Sequence, residues 1–404
     1  MPRTKQRATA GEPNGSLASR IVGQMKKDKL ISEVVKMGNG SLLSDVPYYV
    51  STGVATLDYA IGRPGIPASK LTTIFGREGS GKSTLSYSLL AETQKMGGIG
   101  VLIDSEQRFT PDRARRIGLN PDELIIVDGA TTEQAFDSIE KIVDAIRADS
   151  IDIPVTIVYD SLAGSVPEKR MAAEVGDVQV ANVARLASAL IPRIKLKIAR
   201  MGCALVIVNQ VRQRVNMGGD PRTGMYNERM KVMGQRYAML AEMTLIFESA
   251  LMIYVNAIAT NGEDKAKPTG IRSRFVIRKC GISPHEMWQA EADIDYMTGF
   301  DKEAAMFDLL EELGYIKHSS GGWYMMRGDL DTEFDGADKK FQRKDFAALM
   351  ESRPEMDLAL AAAPESWQKK VAREEDETVV SQGSAPDIGS GVGRGTEDES
   401  PALE

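Results

Sequence analysis

The stretch of this sequence with the clearest chemistry is GREGSGKS, residues 76–83, which fits the phosphate-binding pattern G-x-x-x-x-G-K-[ST]. Its glycines let the backbone curl so that successive N–H groups point at a bound phosphate. Lys82 is expected to reach the terminal phosphates and to serve catalysis, and the Ser83 hydroxyl to ligate Mg²⁺. The apolar run LTTIF precedes the stretch and a helix-forming sequence follows it, as the pattern requires. The predicted nucleotide-binding residues are Gly76, Arg77, Glu78, Gly79, Ser80, Gly81, Lys82, Ser83 and Thr84.

Carboxylates follow two other apolar runs of the sequence. Asp160 ends the run TIVYD, where it either helps to hold the Mg²⁺, directly or through water, or caps the next turn as a surface acid. Hydrolysis of a phosphate ester needs a group that activates water, and Glu106 in VLIDSEQRF is the candidate. Asp104 in the same run belongs either to the metal shell or only to the turn.

An amide pair, Asn209-Gln210, ends the run ALVIV at the start of a long polar segment. Gln210 either touches the terminal phosphate and signals its presence to the segment that follows, or caps the strand. The residue types alone leave both alternatives open.

The polar segment at residues 211–236 is predicted to be a long loop, because Gly-Gly, Asp-Pro and Thr-Gly interrupt regular structure. It has six basic and two acidic residues. Such side chains could neutralise nucleic-acid phosphates, and a shorter irregular segment after Asp160 offers a second basic loop. The alternative is a solvated loop with chance charge. The predicted DNA-binding residues are Lys169, Arg170, Met171, Arg212, Arg214, Arg222, Arg229, Lys231 and Arg236.

Apolar runs of about five residues recur along the chain, at residues 71–75, 99–103, 124–127, 155–159, 204–208 and 251–255. Most are separated by helical patterns. Continuous apolar strands that alternate with helices indicate a parallel sheet covered on both faces. The sequence therefore predicts an α/β fold with a mostly parallel central sheet.

Charge and the pattern of predicted elements together divide the chain into four predicted parts. Residues 1–38 are basic and contain an amphipathic helix at 17–37, and residues 39–292 hold the α/β core. Residues 293–370 form a smaller α/β module, and residues 371–404, with nine acids and two arginines, form a disordered tail. This tail carries the whole net charge of −7, so the other residues sum to zero.

The 404-residue composition excludes several classes of protein. No window of about 18 apolar residues predicts a membrane span, and the N-terminus has no apolar core of a secretory signal. The two cysteines and two histidines lack metal-ligand spacing. A cytoplasmic protein with ordinary thiols is the simplest interpretation.

Taken together, these motifs resemble the RecA-type DNA strand-exchange proteins, including the related phage recombinases. The resemblance rests on the phosphate loop and on STGVATLDYAIG, VLIDSEQRF, VYDSLAGSVPEKRMAAEVGD and VIVNQVRQRV. It implies a RecA-like core that uses ATP and Mg²⁺ and that polymerises as a helical filament on single-stranded DNA. ATP binding would form the active filament, pairing with a homologous duplex and strand exchange would follow, and DNA would stimulate hydrolysis. Single-strand-binding and mediator proteins are possible partners, in a bacterial cell or a phage-infected host.

The resemblance also implies roles for single residues. Glu106 would activate water, and Gln210 would couple the terminal phosphate to DNA. Residues 163–180 and 211–236 would be the two DNA-binding loops. Arg278 and Lys279 would reach the ATP of a neighbouring subunit, although the family has two lysines two positions apart and Cys280 falls on the second.

Two other functions share these motifs. A hexameric helicase or other motor would use the same core, and a scaffold could bind ATP without catalysis. The basic helix before the core and the two loops favour the filament over the ring. The presence of Lys82, Glu106 and Asp160 argues against the scaffold.

Overall fold

The computed structural model describes residues 46–149, 153–168, 181–213, 231–232, 235–262, 267–326 and 340–351, together with the single residues 18, 21, 22, 25 and 27. The predicted acidic tail and most of the predicted N-terminal helix lie outside the described residues. Within the described part of the chain, no helix has the length and hydropathy needed to cross a membrane.

The strands of the described residues form three sheets. In chain order they are β1 Tyr49–Val50, β2 Ile66–Pro67, β3 Leu71–Gly76, β4 Ile99–Asp104, β5 Leu124–Asp128, β6 Val155–Asp160, β7 Ala204–Gln213, β8 Lys231–Val232, β9 Gln235–Met239, β10 Leu251–Asn261, β11 Gly270–Cys280, β12 Gln289–Asp295, β13 Gly299–Phe300, β14 Ile316–His318, β15 Trp323–Met326 and β16 Phe341–Gln342. The large sheet has the order β13-β12-β11-β10-β3-β7-β6-β4-β5, and its strands from β10 to β5 are parallel. The predicted mostly parallel α/β fold is confirmed.

Helices connect these strands. They are α1 Ala55–Ile61, α2 Lys82–Lys95, α3 Pro111–Ile117, α4 Thr132–Asp149, α5 Ala181–Met201, α6 Glu242–Glu248, α7 Lys302–Glu312 and α8 Phe346–Glu351. Helices α1 and α2 pack in one hydrophobic cluster, and α4 and α5 pack in a second.

Strand β7 shows how the apolar runs serve both clusters. Val206 and Val208 belong to the cluster of α1 and α2, whereas Leu205 and Ile207 belong to that of α4 and α5. All four side chains are buried. Successive side chains point to opposite faces of a sheet, so a strand covered on both faces needs an uninterrupted apolar run.

The antiparallel part of the large sheet extends to Phe300, beyond the core boundary predicted at residue 292. Strand β12 pairs with β11 from Gln289 to Asp295, which places the first residues of the predicted C-terminal module in the large sheet. After it, α7, α8 and the sheet of β14, β15 and β16 enclose an aromatic cluster around Phe307. The division into domains stays a prediction.

Two local expectations differ from the structure. Strand β5 lies at the sheet edge, so its apolar run is only partly covered, and Ile126 is 37% exposed. The predicted loop at 211–236 begins and ends in strands, because β7 continues to Gln213 and pairs antiparallel with β9. Residues 214–230 lie outside the described part.

Gly76, where β3 passes into the phosphate loop, provides a test of this packing. A Cβ at Gly76 would lie 2.1 Å from the Val255 carbonyl oxygen, whereas one at Gly79 would meet no atom within 4 Å. The added Cβ would clash with the backbone of Val255, which the pairing of β10 with β3 holds in place. Gly76→Ala should therefore lower the free energy of unfolding by about 3 kcal/mol. Gly79, with φ at 70°, should lose only about 1 kcal/mol on the same change. Thermal unfolding of both variants measures the difference, and equal losses would contradict the packing.

Candidate nucleotide and hydrolysis site

Four parallel strands bring the predicted site residues to one edge of the large sheet. Gly76 at the end of β3 pairs with Gln210 on β7, and Asp104 at the end of β4 pairs with Asp160 at the end of β6. A cavity of about 270 Å³ lies at this edge. Its wall includes Glu78, Gly79, Ser80, Gly81, Lys82, Ser83, Thr84, Glu106, Asp160 and Gln210.

The phosphate loop adopts the curled backbone that its glycines predict. Gly79 and Gly81 have φ angles of 70° and 94°, a region that L side chains rarely adopt. The Lys82 ammonium donates to the Arg77 carbonyl at 2.5 Å, and the Ser80 hydroxyl donates to the same oxygen at 2.8 Å. Because α2 begins at Lys82, its first N–H groups and its positive dipole end face the cavity. The loop can therefore hold a polyphosphate.

Asp160, Lys82 and Ser83 all line the cavity. Burial raises the pKa of Asp160 to about 6, although the hydrogen bond from Ser83 opposes this rise. Burial lowers the pKa of the Lys82 ammonium, and the negative charge of Asp160 opposes that change. The two groups partly compensate the charge that each buries.

The donor set of this cluster fits Mg²⁺ bound together with phosphates. Ser83 and Asp160 offer a hydroxyl and a carboxylate, and Mg²⁺ prefers oxygen ligands and uses one or two carboxylates with substrate phosphates. Among the described residues, no group of three or more His, Cys, Asp and Glu side chains could hold a metal alone. The site therefore suits a cation that arrives with the nucleotide.

Glu106 is held in the cavity by hydrogen bonds from two other segments. Its Oε1 accepts a hydrogen bond from the Ser161 hydroxyl and another, at 2.7 Å, from the Gln210 amide. Ser161 follows Asp160 directly, and Ser105 fixes the Ser161 backbone through bonds of 2.6 and 2.9 Å. Side chains after β4, β6 and within β7 thus meet at one carboxylate. This arrangement can orient a water molecule beside a phosphate held by Lys82.

Asp104 serves the turn after β4. Its carboxylate accepts a hydrogen bond of 2.8 Å from the Phe109 backbone N–H, and the residue is 7% exposed. Of the two alternatives for this acid, the structure shows the contact that belongs to the turn.

Arg278 and Lys279 lie far from the cavity of their own chain. Strand β11 begins at the cavity, where Ser273 donates to the Ser80 carbonyl at 3.0 Å, and runs to the opposite edge of the sheet. There the Lys279 ammonium donates to the carbonyls of Ile246 and Phe247. Neither basic residue is part of the cavity wall of its own chain.

None of the nine predicted DNA-binding side chains has a described position. Lys169, Arg170, Met171, Arg214, Arg222 and Arg229 lie outside the described residues. The backbones of Arg212, Lys231 and Arg236 lie in β7, β8 and β9, where Lys231 pairs with Arg236 in the backbone register.

Several residues of the cavity were missed from the sequence. Arg108 and Arg113 line it, as do Tyr87 and Tyr296. Arg113 donates to the Thr84 hydroxyl at 2.8 Å and lies over the Tyr87 ring, 6.0 Å from its centroid. Arg108 lies two residues after Glu106 in the sequence, which could have identified it as a residue of the cavity. Tyr296 follows the distant antiparallel strand β12, and no local sequence pattern marks it.

Comparisons with known proteins agree with this geometry. The family model described as the RecA N-terminal domain matches residues 18–256. A protein called RecA from Leptospira biflexa is 31% identical over 309 residues, which cover 76% of this chain and 73% of the relative. Proteins of the same name from Rickettsia canadensis and Rickettsia bellii are 34% and 35% identical over 276 residues, covering 68% of this chain and 74% of each relative.

Ser161 tests whether the position of Glu106 controls the chemistry of the site. Ser161→Ala removes a donor from Glu106 Oε1 without touching the phosphate loop. The kcat of nucleotide hydrolysis should fall by about ten-fold with little change in KM. The reason is that the base contributes to the transition state of hydrolysis and not to the binding of the nucleotide. Steady-state kinetics measure both constants. The control is Ser188→Ala on α5, a residue that bonds Ala184 and Thr244 away from the cavity. A raised KM with an unchanged kcat would contradict the positioning role.

Proposed function

This chain belongs to the RecA family of ATP-dependent recombination proteins. On that basis, we propose which of its residues bind ATP, which hydrolyse it and which bind DNA. The chain is a DNA-dependent ATPase that binds DNA, forms filaments and catalyses strand exchange. The similarity to proteins called RecA does not favour the helicase and scaffold alternatives. The observation that carries the proposal is the Glu106 carboxylate, which lies beside the phosphate loop and bonds both Ser161 and Gln210.

The phosphate loop and Lys82 bind the triphosphate of ATP. Backbone N–H groups at the start of α2 and the Lys82 ammonium face the cavity, and they match the charge of a polyphosphate. Ser83 and Asp160 hold Mg²⁺, the ion that withdraws negative charge from the phosphate oxygens when it is bound. Thr84 and the residues from Gly76 to Gly81 complete the binding loop.

Glu106 is the base in hydrolysis. It takes a proton from the attacking water while the water oxygen bonds to the terminal phosphorus. The bond between that phosphorus and the bridging oxygen breaks, and its electron pair leaves on ADP. The Ser161 hydroxyl keeps the carboxylate turned toward the phosphate loop.

Gln210 couples this chemistry to DNA. Its amide bonds Glu106, and β7 leads within three residues to the end of the described strand at Gln213. The two segments at 163–180 and 211–236 bind DNA, where Met171 offers an apolar contact and the backbone phosphates are gripped by Lys169, Arg170, Arg212, Arg214, Arg222, Arg229, Lys231 and Arg236. Because the basic contacts are to phosphates, base pairing and not side chains would supply sequence specificity.

Arg278 and Lys279 act on the nucleotide of a neighbouring copy in the filament. The place of Lys279 at the sheet edge opposite the cavity of its own chain supports this assignment. Arg278 is 5% exposed and donates to the Met287 sulfur at 3.1 Å, so it would have to turn outward first. Phe247 beside Lys279 is 57% exposed and offers an aromatic contact to that neighbour. The protein works in the cytoplasm of a bacterial or phage-infected cell, where single-strand-binding and mediator proteins would assist it.

The proposal is tested by separating nucleotide binding from hydrolysis. Lys82→Ala should abolish ATP binding, because it removes the ammonium that faces the cavity. Glu106→Gln should keep ATP binding and filament formation on single-stranded DNA, and should slow hydrolysis by about 10²–10⁴-fold. Equilibrium binding, electron microscopy and ATP turnover measure the three properties.

The matched variant Glu140→Gln lies on α4, where its carboxylate pairs with Arg193 of α5 outside the cavity wall and outside residues 163–180, and should behave as the parent. Parent-rate hydrolysis by Glu106→Gln would show that another group activates water.

A further inference from the structure

The cavity contains an arginine that the proposed chemistry does not use. Arg108 Nη1 lies 3.1 Å from Glu106 Oε2, and Arg108 Nη2 lies 3.3 Å from Glu78 Oε1. The guanidinium thus bridges the proposed base and the phosphate loop on the solvent side of the cavity. Its side chain is 63% exposed and that of Glu78 is 73% exposed, so both can change partners at little cost.

The acceptor atoms of Glu106 show what Arg108 controls. Oε1 already accepts from Ser161 and Gln210. Among the described residues, Arg108 is the charged partner of Oε2. A base needs a lone pair for the incoming proton. Each carboxylate oxygen has two lone pairs, so Oε1 uses both of its own, whereas Oε2 keeps one beside Arg108 and is the oxygen that can receive the proton. Movement of Arg108 away from Oε2 would clear the second.

A terminal phosphate offers Arg108 a stronger partner than either carboxylate. The charged side chains of the cavity wall balance, with three basic residues, Lys82, Arg108 and Arg113, and three acidic ones, Glu78, Glu106 and Asp160. A bound triphosphate adds negative charge beside the cations. A guanidinium carries five N–H donors in a planar fork, and its bonds to phosphate can be bidentate.

Arg108 is also close to the place where that phosphate would be held. It lines the same cavity as Lys82 and Ser83. An anion held between the two cations, Lys82 and Arg108, would stabilise both.

We propose that Arg108 is a phosphate-binding residue, which moves from Glu106 and Glu78 to the terminal phosphate of the nucleotide and frees Glu106 Oε2 for the attacking water. This inference rests on the proposed ATP site. It predicts that Arg108 discriminates between ATP and ADP, because ADP lacks the phosphate that the guanidinium contacts.

The test is equilibrium binding of ATPγS and of ADP, with Mg²⁺ and without DNA, to the full-length protein. Arg108→Ala should weaken ATPγS binding about ten-fold or more and ADP binding by less than about two-fold, since only a charge-assisted bond to the terminal phosphate is lost. Arg108→Lys keeps the charge without the planar fork, so its affinity for ATPγS should lie between those of the parent and the alanine variant. The matched control is Arg115→Ala on α3, which removes an arginine of similar exposure that pairs only with surface acids at 3.7 Å.

The ratio of the ATPγS affinity to the ADP affinity decides the proposal. An unchanged ratio in Arg108→Ala would overturn it, whether both affinities are kept or both fall by the same factor. Failure of the proposed function would give a different result. In that case Glu106→Gln would hydrolyse ATP at the parent rate, whatever the affinity ratio of the Arg108 variants. Thermal unfolding of each variant verifies that the fold is kept.

Discussion

The common direction of β3, β4, β6 and β7 is the constraint on which the site depends. Parallel strands end at the same edge of a sheet, so the phosphate loop, Glu106, Asp160 and Gln210 meet although the sequence separates them widely. The hydrophobic clusters on the two faces hold the strands in register. Loss of that register would separate the base from the phosphate loop, because each strand carries only one or two members of the site.

Glu106 contacts three groups to which the proposed function gives different roles. Ser161 belongs to the segment after β6, Gln210 lies on the strand that continues toward the proposed DNA-binding residues, and Arg108 faces the phosphate loop through Glu78. A change in any of these partners alters the position or the accessibility of the same carboxylate. Nucleotide binding and DNA binding can therefore act on hydrolysis without a large movement of the sheet.

Much of this arrangement was predictable from short-range sequence patterns. Apolar runs predicted the central strands, the glycine and lysine spacing predicted the phosphate loop, and the strand-end rule placed Asp160 and Glu106 at one edge. What was missed depends on long-range pairing. The antiparallel pairing of β7 with β9 crosses a segment rich in turn residues, and Tyr296 reaches the cavity only because β12 pairs with β11. Arg108 was overlooked because arginine beside an acid is common on surfaces.

Coupling of DNA to hydrolysis through Gln210 is tested by ATP hydrolysis of Gln210→Ala with and without single-stranded DNA. The variant should still bind ATP and DNA, since neither the phosphate loop nor the basic segments change. Its hydrolysis rate should become insensitive to DNA, because the amide that bonds Glu106 is gone. Stimulation equal to that of the parent, at saturating DNA, would show that Gln210 does not carry the coupling.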